Sequence, residues 1–228
     1  MLATLGRGIQ DYTFVQPKPF GLSRGLPSMP SKPRNLILAS TATWRAELLR
    51  ELQVPFDVMA PPYVEQFPGK ASPRELALTH SEGKVQAAAQ KRPNAYILAA
   101  DQTAEFDKRC LQKPRNLDTC IAQLTELQGN AHHLHSAISL YNPEDSSVQS
   151  EVVTVTLEMR ALSPSEVREY IHRDQPIGCV GSYKFELTGR ALFKSVDQDE
   201  SAIVGLPLKQ VSRLLFIAGL LEPPATKT

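Results

Sequence analysis

The sequence predicts an α/β fold, a mixed twisted sheet flanked by helices. Three observations predict it. Leu36-Ile37-Leu38-Ala39 is an apolar run that passes through a short polar turn into a helix-period pattern, so a strand feeds a helix. Two longer strand-type segments, 132–141 and 150–160, flank a turn at Asn142-Pro143 and should pair antiparallel. Ser72-Pro73-Arg74-Glu75 and Ser163-Pro164-Ser165-Glu166 each place a capping serine, a proline at the first helical position and a glutamate at the third. Strands alternating with helices early, and antiparallel strands later, give a mixed sheet rather than a parallel one.

Taken in order, Leu36–Ala39 is the first strand, and Trp44, Leu48, Leu49 and Leu52 mark one buried face of the helix after it. Phe56 to Met59 is a second strand, ended by Pro61-Pro62. The first capping box opens a helix to about Gln90. Tyr96 to Ala100 is a buried-type strand that stops at Asp101, and 104–112 form a hairpin around Asp107-Lys108. A helix from Leu117 to Leu127 ends at Gly129. The second capping box opens a helix to about His172. Arg190 to Val196 is a further strand, and Pro207 to Leu220 the last helix.

Composition narrows the function classes. The chain has 228 residues and a net charge of +1, which leaves no global field to recruit nucleic acid or an anionic membrane. No apolar run approaches the roughly 20 residues that span a bilayer. Cys110, Cys120 and Cys179 are too few and too unevenly spaced for a disulfide framework, and read as reduced thiols of a cytoplasmic protein. Residues 1–35 carry five basic side chains against one acid, with five prolines and four glycines, and read as a flexible basic arm. Met29, just before the first strand, is a second candidate start. The folded domain is expected over 36–221, with a flexible tail at 222–228.

Four groups of polar residues are candidates for chemistry. The turn from Ser40 to Arg45 joins a strand to a helix N-terminus, which suits phosphate; Ser40, Thr41 and Thr43 add hydroxyls and Arg45 a guanidinium. The alternative is a plain helix-capping cluster. Asp101, at a strand end, is a natural Mg²⁺ or Mn²⁺ ligand or a base for water, or else only a cap. Lys84 and Lys113 are phosphate-facing cations or solvated lysines. In His132-His133-x-His135, His133 and His135 share a strand face, and structural roles outweigh a zinc site.

Those residues occur in the order of one family. Leu36-Ile37-Leu38-Ala39-Ser40 with Arg45-Ala46-Glu47-Leu48-Leu49, Ala100-Asp101-Gln102, Gln112-Lys113-Pro114, Gly181-Ser182-Tyr183-Lys184-Phe185-Glu186 and Val204-Gly205-Leu206-Pro207-Leu208 resemble the successive Maf motifs. The resemblance covers about Leu36 to Leu215. It implies two lobes around a cleft, as in inosine-triphosphatase-like folds, and a cytoplasmic housecleaning enzyme, with a homodimer as the family's assembly. The implied reaction is hydrolysis of a nucleoside triphosphate to monophosphate and pyrophosphate with a divalent cation (Mg, Mn or Co). Ser40, Arg45, Lys84 and Lys113 would then hold phosphates, with Glu65 and Asp101 as acidic metal positions.

Trp44, Gln102 and Glu186 look most like the 7-methyl-GTP pyrophosphatase branch. A 7-methylated guanine is cationic, so the face of Trp44 and the carboxylate of Glu186 would both favour it; the alternative for Trp44 is a core residue. A dTTP or UTP pyrophosphatase, or a nucleotide-binding regulator of cell division with weakened catalysis, are the competing readings. Two departures from the family pattern stand out. Ala42-Thr43-Trp44-Arg45 replaces Ser-Pro-Arg-Arg, and Glu65-Gln66 replaces an acidic pair.

Overall fold

Alternation within single strands builds hydrophobic cores on both faces of a mixed sheet. In the computed structural model, which describes residues 35–66, 71–196 and 199–222, strand β1 (Leu36–Ala39) is buried throughout. Successive side chains of a strand point to opposite faces. Leu36 and Leu38 therefore join one cluster, with Ala46 and Leu49 of helix α1 (Thr43–Arg50) and Val211, Leu214 and Leu215 of helix α6 (Leu208–Ile217). Ile37 and Ala39 join another, against Val85 and Ala88 of helix α2 (Pro73–Lys91). The expected basic arm, Met29 within it, and the tail lie outside the described residues, apart from Asn35 and Glu222.

The remaining elements are β2 (Phe56–Met59), β3 (Tyr96–Phe106), β4 (Arg109–Leu111), α3 (Leu117–Leu127), β5 (Ala131–Asn142), β6 (Ser147–Met159), α4 (Pro164–Asp174), β7 (Phe193–Val196) and α5 (Glu200–Val204). The strands form one sheet ordered β2-β1-β3-β5-β6-β7, with β4 also paired to β3. β1 runs parallel to β2 and β3, and every other pairing is antiparallel. The predicted mixed α/β sheet is thus the fold, and a third cluster covers its far end, where α3 and α4 bury Cys120, Leu124, Leu127, Val167, Tyr170 and Ile171. Both capping boxes form: Ser72 and Ser163 accept from the backbone N–H of Glu75 and Glu166, whose carboxylates reach back.

Three local expectations need correction. β3 does not stop at Asp101 but continues to Phe106, because Asp101 to Glu105 pair with Ala137 to His133 of β5. Residues Gly189–Leu192 form a 3₁₀ turn, so β7 begins at Phe193 rather than Arg190. α5 was not foreseen; five residues are too few to show a helical period.

The register of β3 makes an opening. β1 ends at Ala39, opposite Ala99, and β4 takes up the same edge only at Ala104. Between these two neighbours lies the stretch containing Asp101 and Gln102, which point to opposite faces of the sheet. Open α/β sheets put ligands where a strand's neighbour departs in this way.

Helix α4 fixes the late loop beside that opening. The Lys184 N–H donates to the Tyr170 hydroxyl at 2.8 Å, and the Thr188 N–H and hydroxyl both donate to Asp174. Tyr170→Phe removes an acceptor from a partly buried backbone N–H, which costs about 1–3 kcal/mol. Its thermal midpoint is expected to fall accordingly, and a midpoint equal to wild type would show that the contact does not hold the loop.

Candidate active site

The site begins with a lysine on the buried side of a helix. Lys84 lies on the face of α2 that packs against β1 and β3 and is only 9% exposed. An ammonium there is costly unless it is paired. Its Nζ donates to Asp101 Oδ1 at 2.5 Å and sits 2.7 Å from Glu65 Oε1. Lys113, from the loop after β4, approaches the other Glu65 oxygen at 3.6 Å. A chain of alternating charge therefore runs Asp101, Lys84, Glu65, Lys113.

Burial and charge oppose each other on the two carboxylates. Desolvation lifts Asp101 above the usual carboxylate range, against the pull of Lys84 and Arg45. Glu65 is shallower; burial works against its ionisation too, but the Lys84 hydrogen bond and the charges of Lys84, Lys113 and His80 win and hold it at about 2. The aspartate is the more easily protonated of the two.

Glu65 reaches Lys84 because of a glycine. Tyr63 lays its ring against α2, where a Cβ on Gly83 would come within 2.3 Å of the ring. The Tyr63 hydroxyl also lies 3.1 Å from His80 Nδ1, one turn earlier on the same helix. Together Gly83 and His80 seat Tyr63, and Tyr63 holds the loop that carries Glu65 over Lys84. The sequence reading missed all three; the available signal was a lone glycine inside a helical pattern. Gln66, the other half of that expected acidic position, is exposed.

The opposite face of β3 holds Arg45. Gln102 donates through Nε2 to the carbonyls of Ala202 and Ile203 and to the Ser136 hydroxyl, tying β3 to α5. α5 ends at Gly205, whose φ of +102° only glycine adopts readily. That turn aims the Gly205 carbonyl at Arg45 Nε, 3.0 Å away. Burial pulls the Arg45 guanidinium down, while the charges of Asp101 and Glu65 raise it. His132 is buried against Tyr183, with its Nε2 2.9 Å from the phenol oxygen, and desolvation lowers it to about 4, so it supports the late motif as a neutral ring. His133 and His135 bond to Thr156 and Thr154, and His135 also to Glu105.

Most sequence-predicted residues meet around one chamber. Trp44, Arg45, Glu65, Lys84, Lys113 and Glu186 line a cavity of about 290 Å³. Asp101 lines the adjoining one, which shares Glu65, Gln102 and Lys113 as walls. Ser40 is the exception. It is buried, its oxygen accepts the Ala42 N–H at 3.1 Å, which leaves its own O–H as a donor, and it borders a hollow beside α1 that shares Thr41 and Ala42 with the chamber. The capping explanation for this turn also fails, because Ala42 occupies the N-cap and no side chain caps α1. The first-turn N–H groups of α1 thus have no side-chain cap and remain suited to an anion.

The core reading of Trp44 is overturned as well. Ala46 and Leu49 are the buried residues of α1, while Trp44 is 40% exposed at the chamber wall. Two residues are about 200° around a helix, so a buried Ala46 turns Trp44 outward.

No group of three or more His, Cys, Asp or Glu poised to hold a metal occurs among the described residues. Two carboxylates do converge, on the Lys84 ammonium, and a donor pair of this kind suits a Mg²⁺-type ion, which needs one or two carboxylates and takes its other oxygens from water and phosphate. They do not fit a zinc cage.

The pH dependence of stability tests the ion pair. Glu65 is depressed in the fold, so its contribution is complete above the ordinary value of 4.5 and is lost as the pH falls toward about 2. The stability gap between wild type and Glu65→Gln in urea melts should shrink over that window, and a gap that widens toward acid would contradict the pairing.

With this geometry in hand, known proteins show what the chain is similar to. A model of the family described as Maf-like protein matches residues 35–217. A 7-methyl-GTP pyrophosphatase of Xanthomonas oryzae pv. oryzae is 38% identical over 189 residues, covering 82% of this chain and 98% of the relative. One from Albidiferax ferrireducens is 35% identical over 188 residues, 82% of this chain and 94% of the relative. Among solved structures, the Staphylococcus aureus Ham1 protein superposes with a TM-score of 0.45 at 16% identity, covering 82% of this chain and 99% of that one. The family match and the relatives each cover most of the chain: it belongs to the Maf-like protein family.

Proposed function

We propose that the protein is a nucleotide pyrophosphatase that hydrolyses the bond between the α- and β-phosphates of a nucleoside triphosphate, with 7-methyl-GTP as the preferred substrate. The observation that carries this is Lys84 buried between Asp101 and Glu65, with Arg45 and Lys113 beside them. A triphosphate needs several cations, and catalysis of its hydrolysis is mostly positioning and neutralisation of charge. The relatives named as 7-methyl-GTP pyrophosphatases support the same reading.

In this mechanism Lys84, Lys113 and Arg45 bind the phosphate oxygens, and Lys84 turns from its carboxylates toward the substrate. A divalent cation of the Mg²⁺ class, held by Asp101 and Glu65, would supply further charge neutralisation at the phosphates. The Asp101 carboxylate orients a water and takes its proton. The water oxygen bonds to the α-phosphorus, the bridging P–O bond breaks, and its electron pair leaves with pyrophosphate. Burial raises the proton affinity of Asp101, which suits a base.

Trp44 and Glu186 form the wall that would recognise the base. Both are exposed to the chamber, and both attract a cation, Trp44 through its ring face and Glu186 through charge. Neutral guanine gains neither. The free thiols of Cys110, Cys120 and Cys179 suit a reducing, cytoplasmic setting.

Pyrophosphate release from 7-methyl-GTP, GTP, UTP and dTTP, with Mg²⁺ or Mn²⁺ and after chelation, tests the reading. Asp101→Asn should slow turnover about 100-fold or more, as expected for loss of a base, in a variant that melts lower for want of the Lys84 pairing but is still folded at the assay temperature; wild-type turnover in that variant would remove Asp101 from the mechanism. Trp44→Ala and Glu186→Gln should each lower the preference for 7-methyl-GTP over GTP by about two- to thirtyfold. A preference untouched by both would relocate the base.

A further inference from the structure

The cavity beyond Asp101 is larger than a pyrophosphate leaving group requires. It measures about 610 Å³, roughly twice the chamber holding Trp44 and Glu186, and the two meet at Glu65, Gln102, Lys113, Gly178 and Val180. If the base lies between Trp44 and Glu186, as proposed above, the α-phosphate reaches that shared wall and the leaving group passes to the larger side.

The walls there do not match bare pyrophosphate. That ion is small, multiply charged and strongly hydrated, and its binding site should be dense in cations. Past Lys113 the lining is Cys110, Leu111 and Pro114 with Gln112 and, at the start of α3, Asn116 and Thr119; among the described residues Arg115 is the further Lys or Arg there. A partly apolar lining with one guanidinium and a few amide and hydroxyl groups suits an aromatic base and its ribose. Arg115 is exposed, so its planar head can cover a ring without disturbing the core.

We propose that this cavity takes a second nucleoside on the terminal phosphate, so that the enzyme also cleaves dinucleoside polyphosphates. This rests on the pyrophosphatase reading and extends it to the leaving group. The chemistry is unchanged: water attacks the α-phosphorus of the nucleotide held by Trp44, the α–β bridging P–O bond breaks, and the electron pair leaves on a nucleoside diphosphate. One water is consumed, and its proton goes to Asp101.

The test offers the full-length enzyme 7-methyl-GTP and the 5′–5′ triphosphate-linked 7-methylguanosine–guanosine dinucleotide, in oxygen-18 water with Mg²⁺. The expected products of the dinucleotide are 7-methyl-GMP, carrying the label, and GDP in equal amounts, with kcat/KM within about tenfold of 7-methyl-GTP. Arg115→Ala should lower kcat/KM for the dinucleotide about fivefold or more while leaving 7-methyl-GTP within about twofold. Turnover of 7-methyl-GTP with no cleavage of the dinucleotide and no competition from it would overturn the proposal and leave the pyrophosphatase reading intact. Equal losses on both substrates in Arg115→Ala would overturn the assignment of the cavity to a second nucleoside. Cleavage of neither substrate by wild type would refute both.

Discussion

One buried ammonium organises this molecule. Lys84 is nearly excluded from solvent, where a lone charge is costly, and the fold brings two carboxylates to it from two different segments. Asp101 comes from the middle of the sheet and Glu65 from a loop more than thirty residues earlier. Breaking such a pair leaves a buried charge uncompensated, at a cost of several kcal/mol. The arrangement is therefore a weak source of net stability but a strict constraint on geometry. Any conformer that moves the Glu65 loop off α2, or shifts β3 in register, strands a charge.

The parts that satisfy this constraint do not carry charge themselves. Gly83 lacks a side chain so that Tyr63 can lie on α2, and Tyr63 brings Glu65 into range. On the other face, Gln102 fastens α5 to the sheet, and the positive φ of Gly205 turns a carbonyl toward Arg45. Two glycines and one amide thus position a carboxylate and a guanidinium on either side of the same strand. The Val204-Gly205-Leu206-Pro207 motif gains a physical meaning here: it acts on Arg45 from 160 residues away.

How much of this was legible depended on the range of the determining interaction. The β1–turn–α1 unit and both capped helices rest on patterns within about ten residues, and all three stand where the sequence put them. Asp101 was legible as a residue of interest but not in its placement, because polar residues 101–103 look like the end of a strand. Only pairing with β5, more than thirty residues on, shows that β3 continues. Trp44 was ambiguous for a different reason. In an eight-residue helix several faces fit a few apolar residues, and the choice fell to Ala46, whose small size lets α1 lie close to the sheet. Tyr63 and Gly83 lie twenty residues apart with no pattern joining them. The family motifs named Ser40 as a phosphate ligand; its oxygen also accepts the Ala42 N–H, a role in the turn that no sequence motif showed.

The exposure of Trp44 carries the argument from charge to selectivity. An indole at a chamber wall, half open to water, contributes little to the fold, and an apolar residue of that size is usually buried. Glu186, which lines the same chamber, is exposed as well. An aromatic face and a carboxylate lining one chamber attract flat cations, and such a wall would discriminate weakly between neutral bases that stack equally well. The triphosphate end of the ligand is strongly anionic and would be held by Arg45, Lys84 and Lys113. A molecule positive at one end and negative at the other is the ligand that uses both walls, and it binds in one orientation only. Under the proposed function that polarity would fix which phosphorus faces Asp101, so the base wall would act on the reaction by selecting the bond to be broken.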